Sequence, residues 1–320
     1  MSHLKPIIEL FILEVCAGKL NETPAAYRAK LKRLDEWMDG YGLCLGKLTA
    51  RDLKKFLQSL LEQKIKHIGA KIVKGPLSPW TIRSVLMTVR HFLHWAYLTR
   101  KIKLDLAHDL TLPKMPPPDP KAIEKRTVIT LLEAAARTGE PWEQARNLAL
   151  LYVLCDTGGR IGAIIGSDID NLDLPRGKLY VKEKGNRGIN LFLNGVTVIA
   201  LYEWLKYRPQ LRPKCRKLFL SYRGKGLARS SIYSLIERIK QNISMPIQGR
   251  TNPHSFRHAW ARDALNAGED LSKVAATLGH STIRVTAEYY ARWTDGELKK
   301  AHSKYSPGAA LPVIKPKGER

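Results

Sequence analysis

The stretch "HSFRH" carries a dense group of side chains that could do chemistry. His254 and Arg257 stand three residues apart, so on a helix they share one face, one turn from each other. An imidazole beside a guanidinium could bind a phosphate, because arginine stays protonated and forks to two phosphate oxygens. The same spacing also fits the polar solvent face of an ordinary helix. Taken alone, this stretch leaves both interpretations open.

A metal site is the third interpretation of this stretch. His258 follows His254 by four residues, which is the spacing of two zinc ligands on one helix. Zinc hydrolases with this spacing need a glutamate directly after the first histidine, and here that residue is Ser255. The cysteines also lack metal-ligand spacing; they are Cys16, Cys44, Cys155 and Cys215. The sequence therefore predicts no metal and no cofactor, with a zinc hydrolase kept as an alternative.

Two glycine-containing stretches each place a cation where it could meet an anion. In "TGGRIG", Arg160 follows two glycines at the start of a predicted helix, and a helix N-terminus favours oxyanions. In "EKGNRG", Lys184 falls in the turn of a predicted hairpin, where it could carry an ammonium group to a phosphate. An ordinary loop arginine and a solvated basic turn are the alternatives.

The stretch "LGHSTIRVTAEYYA" holds two adjacent tyrosines. His280 follows Gly279, and Tyr289 lies nine residues after His280, with Tyr290 next to it. A phenol has an ordinary pKa near 10 and must lose its proton to act as a nucleophile. Because the chain has 12 tyrosines, packing is the default role of either one.

The net charge of the chain indicates the class of partner that it binds. There are 54 Lys and Arg residues against 29 Asp and Glu residues, a net charge of +25, and both halves of the chain share the excess. This favours a polyanion, nucleic acid first and a membrane surface second. No apolar run is long enough to span a bilayer, so we expect no membrane segment. Cys155 falls in an apolar run, where a buried reduced thiol is the ordinary interpretation, and this is typical of a reducing compartment, which predicts a cytoplasmic protein.

The elements that must position these residues fall into two groups. The first hundred residues are predicted to be helical, with no strand pattern, and "PIIELFILEVC" is predicted to be an amphipathic helix in a core. The clearest helix opens at Ser78 and Pro79. Its apolar stripe comprises Ile82, Val85, Leu86, Val89, Phe92, Leu93 and Ala96.

Five prolines within "TLPKMPPPDPK" exclude a helix or a central strand there and predict an extended linker. We therefore expect a helical domain over residues 1–110, a linker over 111–122 and a second domain over 123–306. Residues 307–320 are predicted to be a disordered tail.

The second half of the chain is predicted to be mixed. An apolar helix covers residues 144–156, and two short strands flank the "EKGNRG" turn. Four further helices follow, two of which end at Gly268 and Gly279, and Ser281 is predicted to cap the helix with the two tyrosines. The predicted fold class is mainly α with a small β-sheet.

Each stretch is weak alone, but their order is specific. Arginine, lysine, His-x-x-Arg, Gly-His and a tyrosine nine residues later resemble the tyrosine recombinase (phage integrase) family. The resemblance covers nearly the whole chain: the first half looks like the family's helical core-binding domain, which binds DNA, and the second like its α+β catalytic domain. The chain is most similar to the simpler Xer-like two-domain members.

The resemblance implies a set of catalytic residues. They are Arg160, Lys184, His254, Arg257, His280 and the nucleophile Tyr289. Tyr290 lies one residue beyond the nucleophile position, so it packs or supports. Two residues depart from the family pattern. Ala163 stands where a glutamate commonly supports the first arginine, and Phe256 stands where leucine is usual.

The resemblance also implies a reaction: a site-specific recombinase that cleaves and rejoins double-stranded DNA through a 3′-phosphotyrosine and a Holliday junction. Neither ATP nor a metal is required, because the phosphotyrosyl ester keeps the bond energy and two guanidiniums offset the charge. We expect a homotetramer on two DNA sites. The segment "DGELKKAHSKYSP" is predicted to be a helix that docks on a neighbouring subunit.

Two alternatives keep the same fold. A catalytically impaired, sequence-specific DNA-binding protein is supported only by Ala163. A nicking-closing enzyme similar to type IB topoisomerases would cleave and reseal without pairing two sites. The sequence leaves the target site and the accessory proteins open, and also the choice among integration, excision, inversion and dimer resolution.

Overall fold

Helices dominate both halves of the protein. The computed structural model describes residues 4–16, 22–62, 65–68, 71–115, 122–183, 187–244, 247, 249–280, 282–290, 299, 302 and 306. The chain divides into two units, Met1–Pro117 and Pro118–Arg320. Each unit has its own hydrophobic core. The fold class predicted from the sequence, mainly α with a small β-sheet, is confirmed.

The described residues of the first unit form four α-helices and one hairpin. The helices are α1 Lys5–Cys16, α2 Glu22–Gly40, α3 Ala50–Glu62 and α4 Pro79–Leu98, and the strands are β1 Ile65–Ile68 and β2 Lys71–Lys74. The two strands pair antiparallel, with Ile65 opposite Lys74. The expectation of a strand-free first half is therefore wrong. Four-residue strands are too short for a period of two to stand out between long helical patterns.

Phe11 lies at the centre of the first core. Its ring makes edge-on contacts with Tyr27, His91, Phe92 and Trp95, at centroid distances of 5.3 to 5.6 Å. Such edge-to-face pairs stabilise a core beyond the area they bury. Helix α1 is therefore a core helix, as its sequence predicted.

The second unit combines eight helices with a three-stranded antiparallel sheet among its described residues. The helices are α5 Lys125–Ala135, α6 Pro141–Thr157, α7 Ile161–Gly166, α8 Gly195–Tyr207, α9 Arg229–Gln241, α10 Pro253–Asn266, α11 Leu271–Thr277 and α12 Ile283–Tyr290. The strands, in sheet order, are β3 Leu172–Asp173, β4 Lys178–Lys182 and β5 Gly188–Phe192. The hairpin of β4 and β5 and the helix at 144–156 are confirmed. The two-residue strand β3 was not predicted.

Large apolar side chains fix the second core. Trp204 of α8 is fully buried, and its indole Nε1 donates to the carbonyl of Leu218 at 3.0 Å. In the sheet, Leu179 and Val181 of β4 and Leu191 of β5 are buried against the same core. This packing places the β4–β5 hairpin close to the C-terminal end of α6.

Several sequence predictions fall outside the described residues. They concern Ser281, Lys184, most of the linker at 116–121 and nearly all of the tail after Tyr290. Within the described part of the chain, no helix is both long and apolar enough to cross a membrane.

Candidate active site

Arg160 is positioned by a sharp turn between α6 and α7. Gly158 takes a φ of +57°, a left-handed conformation that favours glycine, and the hydroxyl of Thr157 accepts from the Gly159 amide at 3.1 Å. A Cβ on Gly159 would lie only 2.8 Å from Leu191, so β5 packs directly on the turn. Arg160 then begins α7 as its N-cap residue.

The side chain of Arg160 crosses to two other elements. Its Nη1 donates to Oε2 of Glu183, directly after β4, and lies 3.4 Å from the carbonyl oxygen of Gly279, after α11. Glu183 is buried, and its amide donates to the carbonyl of Arg187 at 2.8 Å, which closes the hairpin. Lys184, the next residue, lies outside the described residues, so the catalytic role of its side chain stays a prediction.

Helix α10 positions His254 and Arg257. Asn252 caps the helix by accepting from the Ser255 amide at 3.1 Å, and Pro253 occupies the first turn. The guanidinium of Arg257 is buried, and it donates to the carbonyl of Gly158 at 3.0 Å and to that of Leu278 at 2.6 Å. Both carbonyls lie at helix C-termini, where the helix dipole favours a cation.

His280 is held by a residue one element further on. Its Nδ1 lies 2.6 Å from the hydroxyl of Thr286, which is fully buried on α12. Its backbone amide donates to the carbonyl of Ala275 at 2.9 Å, so the junction between α11 and α12 is fixed. A partner on Nδ1 leaves Nε2 as the ring nitrogen that can address a ligand.

The electrostatics of the histidines link these elements. Desolvation, with Arg257, Arg160 and His258 nearby, lowers the pKa of His280 to about 4. Desolvation also lowers the pKa of His254, with further contributions from three arginines, Arg257, Arg229 and Arg160. Both imidazoles are therefore neutral at pH 7. Because the two arginines influence both histidines, these four side chains share one site.

Tyr289 reaches this site through a neighbouring ring. The phenol is half-buried on α12 and stacks on the imidazole of His258, with centroids 5.7 Å apart and ring planes at 26°. His258 lies one turn after His254 on α10. The side chain of Tyr290 is outside the described part.

The structure brings together Arg160, His254, Arg257, His280 and, through His258, Tyr289. Sequence reasoning missed three residues at this site, Glu183, Thr286 and Arg229. Arg229 begins α9 and packs so closely on α7 that a Cβ on Gly162 would lie 2.5 Å from its Nη2. Its charge lowers the pKa of His254. No motif marked these residues; only the position of Glu183 directly before Lys184 was a signal in the sequence.

A metal-binding arrangement is not found in the described portion of the chain. No group of three or more His, Cys, Asp or Glu side chains there could hold a metal ion. His258 instead stacks on Tyr289.

Comparison with known proteins identifies the family. The sequence profile described as "Phage integrase family" matches residues 121–296, more than half of the chain. The chain belongs to the phage integrase family. A similar curated relative is the tyrosine recombinase XerD of Proteus mirabilis, 29% identical over 306 residues, with 94% of this chain and 93% of the relative covered. Its family makes this protein an enzyme, a tyrosine-type site-specific recombinase of the Xer-like kind.

Solved structures share the fold. XerH recombinase bound to its difH substrate before cleavage has a TM-score of 0.73 at 19% identity, covering 95% of this chain and 96% of that one. A lambda integrase tetramer bound to a Holliday junction has a TM-score of 0.66 at 15% identity, covering 91% and 79% respectively. At these identities the likeness concerns the fold alone.

Proposed function

We propose that this recombinase cleaves and rejoins double-stranded DNA through a covalent 3′-phosphotyrosine on Tyr289. Arg160, Lys184, His254, Arg257 and His280 would surround the scissile phosphate. The observation that carries the proposal is the shared site of two arginines and two neutral histidines, next to a stacked tyrosine, in a chain of this family.

The two arginines would bind and stabilise the phosphate. A phosphodiester is anionic and repels a nucleophile, and further charge builds on its oxygens in the transition state. Guanidiniums fixed in advance by Glu183 on one side and by two backbone carbonyls on the other suit this task. Because Arg257 is fixed by two backbone carbonyls, its guanidinium does not have to move when the phosphate binds.

The chemical step exchanges one ester for another. The phenolate oxygen of Tyr289 forms a bond to phosphorus, and the bond from phosphorus to the 5′ oxygen breaks. The phenol proton goes to a base, for which neutral His254 is suited, and the leaving 5′ oxygen takes a proton, for which Lys184 is the candidate. A 5′ hydroxyl then attacks the phosphotyrosine and restores a phosphodiester, so ATP is not needed.

His280 would act as a neutral donor in this scheme. Its pKa of about 4 excludes a charged ring at pH 7. With the Thr286 hydroxyl on Nδ1, the proton on Nε2 can be donated to a phosphate oxygen. Such a donor stabilises the developing charge without adding another cation beside two arginines.

The charge of the chain and its family support a proposal about DNA binding and assembly. A net charge of +25 supports strong, salt-dependent binding to phosphates, and protein contacts to base edges would select the site.

We propose a homotetramer on two DNA sites that exchanges strands through a Holliday junction, with no membrane partner and action in the cytoplasm. The first unit would be the core-binding domain, and residues from 295 onward would dock on a neighbouring subunit. Deleting those residues should reduce pairing of two sites but spare binding to one.

A nicked suicide DNA substrate carrying the chain's own site tests the reaction. A covalent protein–DNA adduct on a denaturing gel is expected from the wild type and from Tyr290→Phe, but not from Tyr289→Phe. Adduct lost only with Tyr290→Phe would keep the reaction and move the nucleophile by one residue. Tight binding without any adduct would favour the catalytically impaired DNA-binding alternative. Relaxation of supercoiled plasmids that lack any target site would favour the topoisomerase-like alternative.

A further inference from the structure

A buried carboxylate lies at the edge of the proposed phosphate site. The side chain of Glu183 is 3% exposed. Its Oε2 accepts from Nη1 of Arg160, and its Oε1 is buried with no hydrogen-bond partner among the described residues. A buried carboxylate that is only partly satisfied costs free energy, so stability alone does not explain its presence here.

The surrounding fold is shaped to admit this carboxylate. Gly279 takes a φ of +64°, and a Cβ there would lie 2.5 Å from Oε2 of Glu183. The carboxylate therefore sits where three chain segments meet: the end of β4, the start of α7 and the end of α11. Arg160 donates to both Glu183 and Gly279 across this junction.

Position 163, where the family commonly has a glutamate, carries no acid in this chain. Ala163 lies on α7, three residues after Arg160, and is buried. No carboxylate can come from that position to hold the guanidinium. Glu183 reaches the same guanidinium from a different element, the β4–β5 hairpin.

We propose that Glu183 is the positioning residue for Arg160 and takes over the task of the acid missing at Ala163. The inference rests on the proposed function, since it assumes that Arg160 binds the scissile phosphate. Glu183 engages Nη1 alone, so Nη2 and Nε of Arg160 face no described acceptor and can address a phosphate. A further consequence is that Arg160 is linked to the β4–β5 hairpin. Lys184 directly follows Glu183, the residue that holds Arg160.

The first test measures the rate of adduct formation on the suicide substrate with Glu183→Gln. We expect about 10- to 100-fold slower cleavage, because a poorly oriented group costs this much in rate, with DNA affinity within about twofold of wild type. Glu143→Gln is the matched control, since Glu143 is another mostly buried carboxylate paired with an arginine, Arg238, at 2.7 Å. Cleavage by Glu183→Gln within twofold of wild type would overturn the proposal.

Stability separates positioning from a structural role. Arg160 keeps 36% of its side chain exposed, so water can solvate it when the carboxylate is neutralised. We therefore expect that Glu183→Gln does not lower the Tm, whereas a structural residue would lower it. A lowered Tm together with a normal rate well below that Tm would overturn the proposal.

A relocation experiment tests whether Glu183 replaces the acid at 163. In a Glu183→Ala background, adding Ala163→Glu should raise the cleavage rate at least about threefold, because an acid is returned to the same guanidinium. A double variant no faster than Glu183→Ala would overturn the replacement.

One readout does not depend on cleavage. Phenylglyoxal modifies arginines, and its reaction with Arg160 can be mapped by mass spectrometry. We expect several-fold faster modification of Arg160 in Glu183→Gln, and equal rates would overturn the pairing. If the wild type forms no adduct but Arg160 is protected by Glu183, the proposed function fails while the pairing stands.

Discussion

The imidazole of His258 stacks on the phenol of Tyr289, with ring centroids 5.7 Å apart and ring planes inclined by 26°. The two residues come from different helices, α10 and α12. The stack ties the helix of the proposed nucleophile to the helix that carries His254 and Arg257. This contact of His258 is one that the zinc-ligand spacing did not suggest.

The stack should be replaceable by another flat ring. His258→Phe keeps a ring against Tyr289, whereas His258→Ala removes it, so we expect adduct formation to fall about 10- to 100-fold only in the alanine variant. Single-turnover cleavage with protein in excess over DNA measures this. If phenylalanine is as slow as alanine, a ring nitrogen of His258 takes part in the chemistry and stacking alone is the wrong explanation.

The hydroxyl of Thr286 should set the tautomer of His280. Thr286→Val keeps the shape of the side chain but leaves Nδ1 of His280 without its 2.6 Å partner. We expect cleavage to slow about tenfold or more with unchanged DNA affinity, because a hydrogen bond on one ring nitrogen decides what the other presents. Thr286→Ser retains the hydroxyl and should stay close to wild type. Equal rates for Thr286→Val and Thr286→Ser would remove Thr286 from the site.

Local signals in the sequence predicted much of the fold. Ser78 caps α4 by accepting from the Thr81 amide at 3.1 Å, and Gly268 and Gly279 end helices with φ of +94° and +64°. These features depend on residues that are only a few positions apart in the sequence, so a local pattern is enough to predict them. The hairpin at 65–74 was missed because its strands are short, and tertiary packing decides such segments.

The candidate site was predictable as a set of residues but not as a set of contacts. The order of motifs named Arg160 and Arg257, yet the partners that fix them are distant in sequence. Glu183 is 23 residues from Arg160, and the Leu278 carbonyl is 21 residues from Arg257. No local pattern encodes these pairs, since folding alone brings them together. The catalytic roles of these residues stay predictions.

Arg257 should contribute to both stability and catalysis. Arg257→Lys cannot serve the carbonyls of Gly158 and Leu278 together, so one buried acceptor loses its donor. We expect a loss of about 1 to 3 kcal/mol in the free energy of unfolding, and cleavage slower by about 100-fold or more. Urea unfolding and single-turnover cleavage measure the two effects. Arg262→Lys, a more exposed change on the same helix, should stay within about 0.5 kcal/mol. Equal stability of the two variants would contradict this role.

The histidines of the site should make the protein less stable in mild acid. The pKa of His280 is about 4, against an ordinary value of 6.5, and the pKa values of His254 and His258 are also lowered by desolvation. Between pH 4 and pH 6.5 these histidines bind protons in the unfolded chain that they do not bind in the folded chain. Stability is therefore full above pH 6.5 and falls as the pH drops towards 4.

The free energy of unfolding of the DNA-free protein, measured by urea titration from pH 7.5 to 4, checks this sign. His280→Asn removes the imidazole whose pKa is about 4, so we expect the stability of this variant to fall less over the same range. The difference should be about 1 to 3 kcal/mol, reduced from the full linkage value because His280 is only half-buried. Parallel curves for wild type and His280→Asn would mean that His280 titrates alike in both states. The lowered pKa assigned to His280 would then be wrong.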